Sequence, residues 1–574
     1  MLIFSQIENA LNKGLNEVLQ LLPQDPLSLM AATLIDSIIS TPVFDRFEAR
    51  ETVICEQQRT IKIKVWLQFN GKTLPYYVYT FPFNPEDIAN FTFDKPDEKT
   101  GMKKACHIIN EEISPLLKGK EILGFKKIDE ILLAYQKKSQ QSDEGSHVGD
   151  NIIRACSEAI LFAYAFCTSP SDPYVGFFKF MFDRDYTSQE KTPRLMFTVL
   201  NGGKALGSKV KFSKIYLILD ITAQDDVDIV EVYFKIQAQL RKQIQTHKLG
   251  ENGFKPGADG SYFNAFETVN ESFKFIEDAI NTNERKKYIK FGINPDVDSS
   301  YIKEQNKYDL EGPKNLFDQD QLTEYFVKMC NEHPLLEYLE DPVAEGDVVG
   351  YQKIIKRFKD AVPRVKIGIK HMLKSNLDII KQHTQIISKD DDDDDEEEKK
   401  EQEKKIEEEK KEQIPQVIQE PVSVKAGGRD SVATKKPAPS DMKTPANQKS
   451  QAKLEPLQSQ QEIVQENLND PNRLKFIPHI VHLEKSLLKT SYKLWEILIY
   501  QQLLKPEEQF EVIIEDNSYE TCNSEVIDIS FGAQVAYTNI RGFFRNEKSA
   551  KVQRFSEILD SIKQIQKIEN QSEF

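Results

Sequence analysis

The chain has 574 residues, of which 39% are hydrophobic, and a formal net charge of -15. This length allows two or three domains with a sizeable core. The acidic residues concentrate between residues 389 and 411, and the mildly acidic remainder excludes a nucleic-acid-binding surface. No apolar run reaches the ~18 residues that span a bilayer, and no basic secretory leader precedes the first apolar residues. The six cysteines are scattered without a CxxC pair, so we expect a soluble, cytoplasmic protein with free thiols.

Residues 1–40 carry apolar side chains at helical spacing. The break at residues 23–26 divides this segment into two helices, with Asp25 as the N-cap of the second and Pro26 at its first position. A helical hairpin of this size has too little core to fold alone. The sequence therefore predicts that the hairpin packs either on the rest of the chain or on a partner.

From residue 41 to about residue 140 the pattern is that of a small α+β domain. Thr60–Phe69 alternates apolar and polar side chains, and Asn70-Gly71 follows as a hairpin turn. Lys103–Lys118 is an amphipathic helix.

From Gly149 onward helical stretches alternate with short apolar strands, which favours a parallel barrel surrounded by helices. The barrel is predicted to occupy residues 141–388 and 472–574. The predicted strands are Ile215–Leu219, Tyr288–Ile293, Leu335–Leu339, Val365–Ile369 and Phe510–Ile514.

Residues 389–471 interrupt the predicted barrel. An acidic run is followed by a segment rich in Pro, Gln, Ser and Lys, which cannot bury apolar surface. We expect a disordered insertion here.

Several short motifs occur in one order along the chain, and together they resemble the enolase family. The motifs are Gly149–Ser157, Asn201-Gly202-Gly203, Glu251-Asn252-Gly253-Phe254, Lys307–Leu310, Leu339-Glu340-Asp341-Pro342 and Arg545–Lys551. The resemblance covers residues 41–388 and 472–574. It implies an α/β fold in which a small α+β capping domain precedes a (β/α)8-type barrel, with the helical hairpin in front.

Enolases are lyases that convert 2-phosphoglycerate to phosphoenolpyruvate, and the resemblance assigns positions for their magnesium ion. Glu340 matches the middle of three carboxylates. The first falls on Asp296, or on Asn294 in an alternative alignment, and the third falls on His371. Imidazole is a poor ligand for magnesium, so the resemblance implies an incomplete magnesium site.

The positions that should move protons are also altered. Glu251 retains an acid position, but Lys214 replaces its partner glutamate and Ala205 replaces a histidine. The base lysine falls on Phe476, with Lys475 one residue earlier. A one-residue slip on a strand turns a side chain to the other face, so Lys475 is a base only if the alignment contains a gap.

The phosphate-binding segment of the family corresponds to residues 515–521. Its histidine and arginine are replaced by Asp516 and Asn517, so a phosphate dianion would meet repulsion. No counterpart of the magnesium-binding serine loop occurs in residues 76–87, and no second active-site lysine occurs in residues 534–542.

Residues 21–34 resemble the dimerization/docking motif of protein kinase A regulatory subunits and many ciliary proteins. That motif pairs two hairpins into a four-helix bundle that accepts an amphipathic helix. The resemblance implies that Leu27, Met30 and Leu34 form a docking face.

The combination resembles the divergent sperm-type branch of the enolase family. It predicts a catalytically inactive pseudoenzyme without a cofactor that serves as a structural component of the ciliary axoneme. Protein partners would bind residues 1–40 and the barrel surface, in a homodimer or heterodimer, without nucleic acid or membrane. Two alternatives remain: an active magnesium-dependent enolase with a rebuilt site and Lys214 or Lys475 as base, or a barrel that binds another anionic metabolite.

Overall fold

The computed structural model describes residue 15 and residues 42–572, apart from residues 70–71, 84–87, 123–124, 142–147, 258, 311–315, 385–475, 507 and 518–520. The predicted insertion at residues 389–471 and, apart from Leu15, the predicted hairpin at residues 1–40 therefore lie outside the described residues. The described residues belong to one compact unit, which spans residues 1–384 and 474–574.

The capping domain is built on a three-stranded antiparallel sheet. Its strands, in spatial order, are β1 Val43–Val53, β2 Arg59–Phe69 and β3 Lys72–Thr80. In β2 the residues Ile61, Ile63, Val65 and Leu67 are fully buried, as the alternating pattern predicts. Phe69 pairs with Lys72, which confirms a two-residue connection between β2 and β3.

Helices pack against this sheet and lead into the barrel. The helix Asp150–Thr168 follows the predicted domain boundary at residue 140, but it packs on β2 and β3 and is therefore counted with the capping domain. The predicted helix Lys103–Lys118 is confirmed as a continuous run with a π-helical turn at Ile109–Ile113. The helices are α1 Lys103–Ile108, α2 Ser114–Leu117, α3 Phe125–Gln140, α4 Asp150–Thr168 and α5 Pro173–Phe182. Among the described residues no single helix is long and apolar enough to cross a membrane; α4 and α5 reach that composition only as a pair bent by 97°.

The second domain is a closed barrel of eight strands. The strands that follow the capping domain are β4 Arg194–Asn201, β5 Lys214–Leu219, β6 Tyr262–Phe263, β7 Ile289–Asn294, β8 Tyr301–Ile302, β9 Lys307–Tyr308, β10 Leu336–Glu340, β11 Lys366–Ile369, β12 Ile480–Glu484, β13 Glu511–Glu515 and β14 Tyr537–Gly542. Pairing runs β4-β5-β7-β10-β11-β12-β13-β14, and β14 pairs with β4 to close the ring. Strands β6, β8 and β9 lie outside it.

The ring is not wholly parallel, which corrects the prediction of a parallel barrel. β5 runs antiparallel to both of its neighbours, β4 and β7. The connection between β4 and β5 holds only the 3₁₀ turn Lys204–Leu206 and no crossover helix, so β5 returns as a hairpin partner.

Helices cover the outside of the ring. They are α6 Ile229–Thr246, α7 Gly250–Gly253, α8 Val269–Asn281, α9 Gln319–Glu332, α10 Val348–Ala361, α11 Leu377–Thr384, α12 Ser491–Leu503, α13 Glu525–Gly532 and α14 Asn546–Ser572. Residues 385–475 enter and leave the barrel at neighbouring points, because the Phe476 N–H donates to the His383 carbonyl oxygen at 3.2 Å. The small α+β domain followed by an eight-stranded α/β barrel is thus confirmed.

Candidate functional site

The candidate site lies where the carboxyl ends of the parallel strands meet, together with the start of the reversed strand β5. In barrels of this kind this end carries the ligand-binding residues. Polar and charged side chains converge here from seven strands and the residues directly after them: Lys214, Asn294, Glu340, Lys370, His482, Glu484, Glu515, Asn539 and Arg541. We call this set the mouth cluster.

Glu340, at the end of β10, is fully buried and accepts hydrogen bonds from four side chains. The Tyr216 hydroxyl and the Asn294 amide donate to Oε1 at 2.7 and 2.8 Å. The Tyr338 hydroxyl donates to Oε2 at 2.9 Å, and His482 Nδ1 contacts the same oxygen. Both carboxylate oxygens are therefore engaged by protein donors.

His482, on β12, lies between two buried glutamates. Its Nδ1 contacts Glu340, and its Nε2 lies 2.7 Å from Glu515 Oε2. Burial lowers the pKa of this imidazole, but the two carboxylates outweigh burial and raise it above its ordinary value. Although burial acts to raise it, the pKa of Glu340 is held well below its usual range by the charge and hydrogen bond of His482. Protonated His482 and ionised Glu340 are therefore the favoured states of this pair.

Lys370 and Arg541 each bridge Glu515 and Glu484. Lys370 Nζ lies 3.0 Å from Glu515 Oε2 and 3.2 Å from Glu484 Oε2. Arg541 Nη2 lies 2.7 Å from Glu515 Oε1 and 2.6 Å from Glu484 Oε1. Burial disfavours the Lys370 ammonium, but these glutamates raise the pKa of Lys370 above its ordinary value. Lys214 Nζ stands further out, 4.0 Å from Glu515 Oε1.

The strand ends differ from the predicted magnesium positions at two points. Asn294, and not Asp296, ends β7 and bonds Glu340; Asp296 lies in the following loop, where its N–H donates to the Asn294 side chain at 2.9 Å. After β11, Lys370 points into the mouth cluster. The His371 side chain is 51% exposed and pairs at 3.3 Å with Asp341. The predicted third position is therefore displaced by one residue, because neighbouring residues of an extended chain face opposite ways.

These residues do not fit the magnesium ion that an enolase holds. The three inward positions present an amide, a carboxylate whose oxygens already accept four hydrogen bonds, and an ammonium group. Mg²⁺ requires oxygen ligands with free lone pairs and is repelled by an ammonium group. Within the described part of the chain, no group of three His, Cys, Asp or Glu side chains is arranged to hold a metal ion.

Phe476 and Ala205, two of the positions that the sequence assigned to proton transfer, do not belong to the mouth cluster. Phe476 precedes β12 at the opposite end of the barrel and stacks on Tyr351 with ring centroids 5.7 Å apart, so the prediction that it takes the base position is wrong. Lys475 lies outside the described residues. Ala205 is exposed in the 3₁₀ turn. Glu251 belongs to α7, but its side chain is outside the described part.

The predicted phosphate-binding segment carries a buried ion pair. Asp516 Oδ2 lies 3.1 Å from Lys551 Nζ. Burial acts to raise the pKa of Asp516, but nearby lysines, Lys551 foremost, lower it below its usual value. Asn517 is fully buried, 3.5 Å from the Arg154 guanidinium of the capping domain. The anionic Asp516 disfavours a phosphate group at this position.

The capping domain closes over this end through further buried polar contacts. Lys485, after β12, pairs at 3.0 Å with Glu158 of α4, which also accepts a hydrogen bond from Tyr79. The Tyr77 hydroxyl donates to Glu525 at 2.6 Å. These contacts join β3 and α4 of the capping domain to the barrel loops.

Sequence reasoning assigned no role to four residues that dominate the mouth cluster, and it placed a fifth, Glu515, only in the predicted phosphate-binding segment; the four are Lys370, His482, Glu484 and Arg541. One local signal was present. His482 and Glu484 alternate with apolar residues in a strand-like stretch, which puts both on one face. The pairing of these side chains depends on barrel closure and has no local signal.

Comparison with known proteins agrees with this architecture. Residues 190–386 match the enolase C-terminal TIM barrel domain. The chain is similar to the enolase of Ehrlichia canis, with 30% identity over 46% of this chain and 58% of the relative. It is also similar to the enolase of Methanococcus vannielii, with 26% identity over 45% of this chain and 57% of the relative.

The chain thus spans less than two thirds of the length of these relatives. The fold is an enolase-like α/β fold, with an antiparallel capping sheet and a closed eight-stranded barrel. These similarities support the enolase family for this protein. They do not show whether this protein catalyses the reaction of those relatives.

Proposed function

We propose that this protein is a catalytically inactive enolase-like pseudoenzyme. The observation that carries the proposal is the mouth cluster: Glu340 is saturated by four donors, and Lys370 stands where a magnesium carboxylate is expected. Lys370 cannot serve as the base at neutral pH, because two glutamates keep its amine protonated. Loss of a general base costs about 10²–10⁴ in rate, and loss of the metal costs several kcal/mol more.

A coupled assay with purified full-length protein, 2-phosphoglycerate and excess magnesium tests this proposal. Glu340→Gln serves as the background control. We expect no formation of phosphoenolpyruvate above that background. Magnesium-dependent turnover above the control would mean that the site has been rebuilt for catalysis. Lys214, which is less buried than Lys370, would then be the candidate base, and Lys214→Met should abolish the turnover.

We further propose an assembly role in a ciliary axoneme, exerted by binding proteins rather than by chemistry. The support is the resemblance of residues 21–34 to a docking motif, together with the resemblance of an enolase-like chain with such a motif and a long insertion to the sperm-type branch. Partners would bind through residues 1–40 and the barrel surface, and the protein would form a homodimer or a heterodimer.

The double variant Leu27→Glu/Leu34→Glu tests the docking face. We expect the variant to be released from detergent-extracted axonemes because charge disrupts an apolar helix face, while the melting temperature of the barrel stays unchanged. Leu503→Glu is a matched control, since Leu503 is an exposed leucine on the barrel helix α12. Retention of the double variant in the axoneme would refute this docking site.

A further inference from the structure

We infer that this barrel contains a built-in cation: the Lys370 ammonium, together with Arg541 and His482, balances the buried carboxylates in place of a divalent ion. Folding of the barrel would then need no metal. This inference concerns stability and rests on the same placement of Lys370 as the proposed loss of catalysis.

Shared cations link three glutamates into one set: Glu340 and Glu515, which are fully buried, and Glu484, whose side chain is 13% exposed. His482 joins Glu340 to Glu515. Lys370 and Arg541 each join Glu515 to Glu484, with every N–O distance between 2.6 and 3.2 Å. Each carboxylate is therefore neutralised by at least one cation that it shares with another carboxylate. This is the arrangement in which a buried charge is tolerated.

The carboxylates of this linked set are balanced by cations of the protein itself, without an added ion. Glu340, Glu484 and Glu515 contribute three negative charges, and Lys370, Arg541 and His482 contribute three positive charges when the imidazole is protonated. Lys214 adds a further positive charge 4.0 Å from Glu515. A divalent ion would add two uncompensated positive charges near the Lys370 ammonium. At such distances and low dielectric, repulsion between like charges is strong. The cluster thus disfavours a metal ion actively, in addition to lacking ligands for it.

The position of Lys370 supports the same conclusion. Its side chain follows β11 directly, beside the β10 end that carries Glu340, so its ammonium reaches the space between strand ends. Only 7% of the side chain is exposed. Lys374, four residues later, instead pairs with Glu345 at the surface. Lys370 is therefore an internal cation, and Lys374 is an exposed lysine close to it in the sequence that serves for comparison.

Thermal unfolding of the full chain in excess EDTA and in excess magnesium chloride tests the inference. We expect the melting temperature to be the same in both solutions. A saturable increase with magnesium that Glu340→Gln removes would overturn the inference, because it would reveal a metal site at the mouth. This readout does not depend on turnover: a saturable magnesium response without turnover would overturn this inference and leave the pseudoenzyme proposal standing.

Restoring the missing carboxylates gives a second test. In Asn294→Asp/Lys370→Asp, we expect a lower melting temperature in EDTA and a saturable increase with magnesium. The matched control Asn294→Asp/Lys374→Asp keeps the internal cation and should show no magnesium response. Equal melting temperatures for the wild type and the Lys370 double variant in EDTA, or no magnesium response in that variant, would contradict the inference. If the double variant does not fold, Lys370→Met should still melt below Lys374→Met.

Discussion

Tyr338 shows how single residues shape the interior of this barrel. It reaches Glu340 from the same strand because glycines stand on both neighbouring strands. A Cβ at Gly368 of β11 would lie 2.1 Å from the Tyr338 hydroxyl oxygen, and one at Gly292 of β7 would lie 2.8 Å from Tyr338 Cβ. Both positions require glycine because a larger side chain would overlap atoms of Tyr338. The missing side chains make room for the phenol ring.

Gly368→Ala should therefore destabilise the protein by about 1–3 kcal/mol, the range for overpacking a close-packed interior. Chemical denaturation measures the free energy of unfolding. Gly346→Ala is the control, because a Cβ at Gly346 meets no atom within 4 Å. Equal stability of the two variants would show that Tyr338 moves aside without cost.

At the scale of elements, the capping domain and barrel are joined at a helix terminus. The first N–H groups of a helix have no partner within the helix. At the start of α12, the Ser491 N–H donates to Ser157 Oγ at 2.8 Å and the Tyr492 N–H donates to Asp129 Oδ2 at 3.0 Å. Both acceptors belong to helices of the first domain, α4 and α3. The barrel helix is thus capped by its neighbour domain.

Asp129 makes this junction sensitive to pH. Burial raises its pKa from an ordinary 3.8 to about 6, although hydrogen bonds from Ser157 and Tyr492 act in the opposite direction. The folded state therefore binds the proton more tightly than the unfolded state does. Protonated Asp129 therefore stabilises the folded state at low pH, and this contribution is lost as the pH rises through about 6.

Asp129→Asn should remove this dependence, because the amide oxygen still accepts from Tyr492 but does not titrate. Relative to the variant, the wild type should lose up to about 3 kcal/mol of unfolding free energy between pH 4 and pH 7, since one pKa unit corresponds to about 1.4 kcal/mol. Urea denaturation across this pH range measures the difference. Parallel curves for the two proteins would contradict the assignment.

At the scale of the whole molecule, residues 385–475 connect two points that are already adjacent. The His383–Phe476 backbone hydrogen bond holds these points together inside the barrel unit. Closing a loop between neighbouring ends costs little and depends only weakly on loop length.

Replacing residues 385–473 by a linker of about six Gly and Ser residues should therefore leave the barrel folded. We expect a single cooperative unfolding transition, with a melting temperature within a few degrees of the wild type. Circular dichroism during heating measures it. A large decrease would mean that the removed segment contributes to the stability of the barrel.

The sequence by itself predicted the fold class and five of the eight strands of the barrel ring. Ordered motifs and apolar runs carry that information, because they depend on neighbours in the chain. Strands β4, β12 and β14 of the ring were not predicted. In β12 and β14, inward-facing polar residues such as His482 and Asn539 interrupt the apolar pattern.

Only the tertiary structure decided what fills the mouth of the barrel. Whether Lys370 or His371 faces inward is a one-residue question, and strand geometry reverses the answer at every step. The contact between Glu340 and His482 joins residues 142 positions apart. Barrel closure creates such contacts, and no local pattern in the sequence records them.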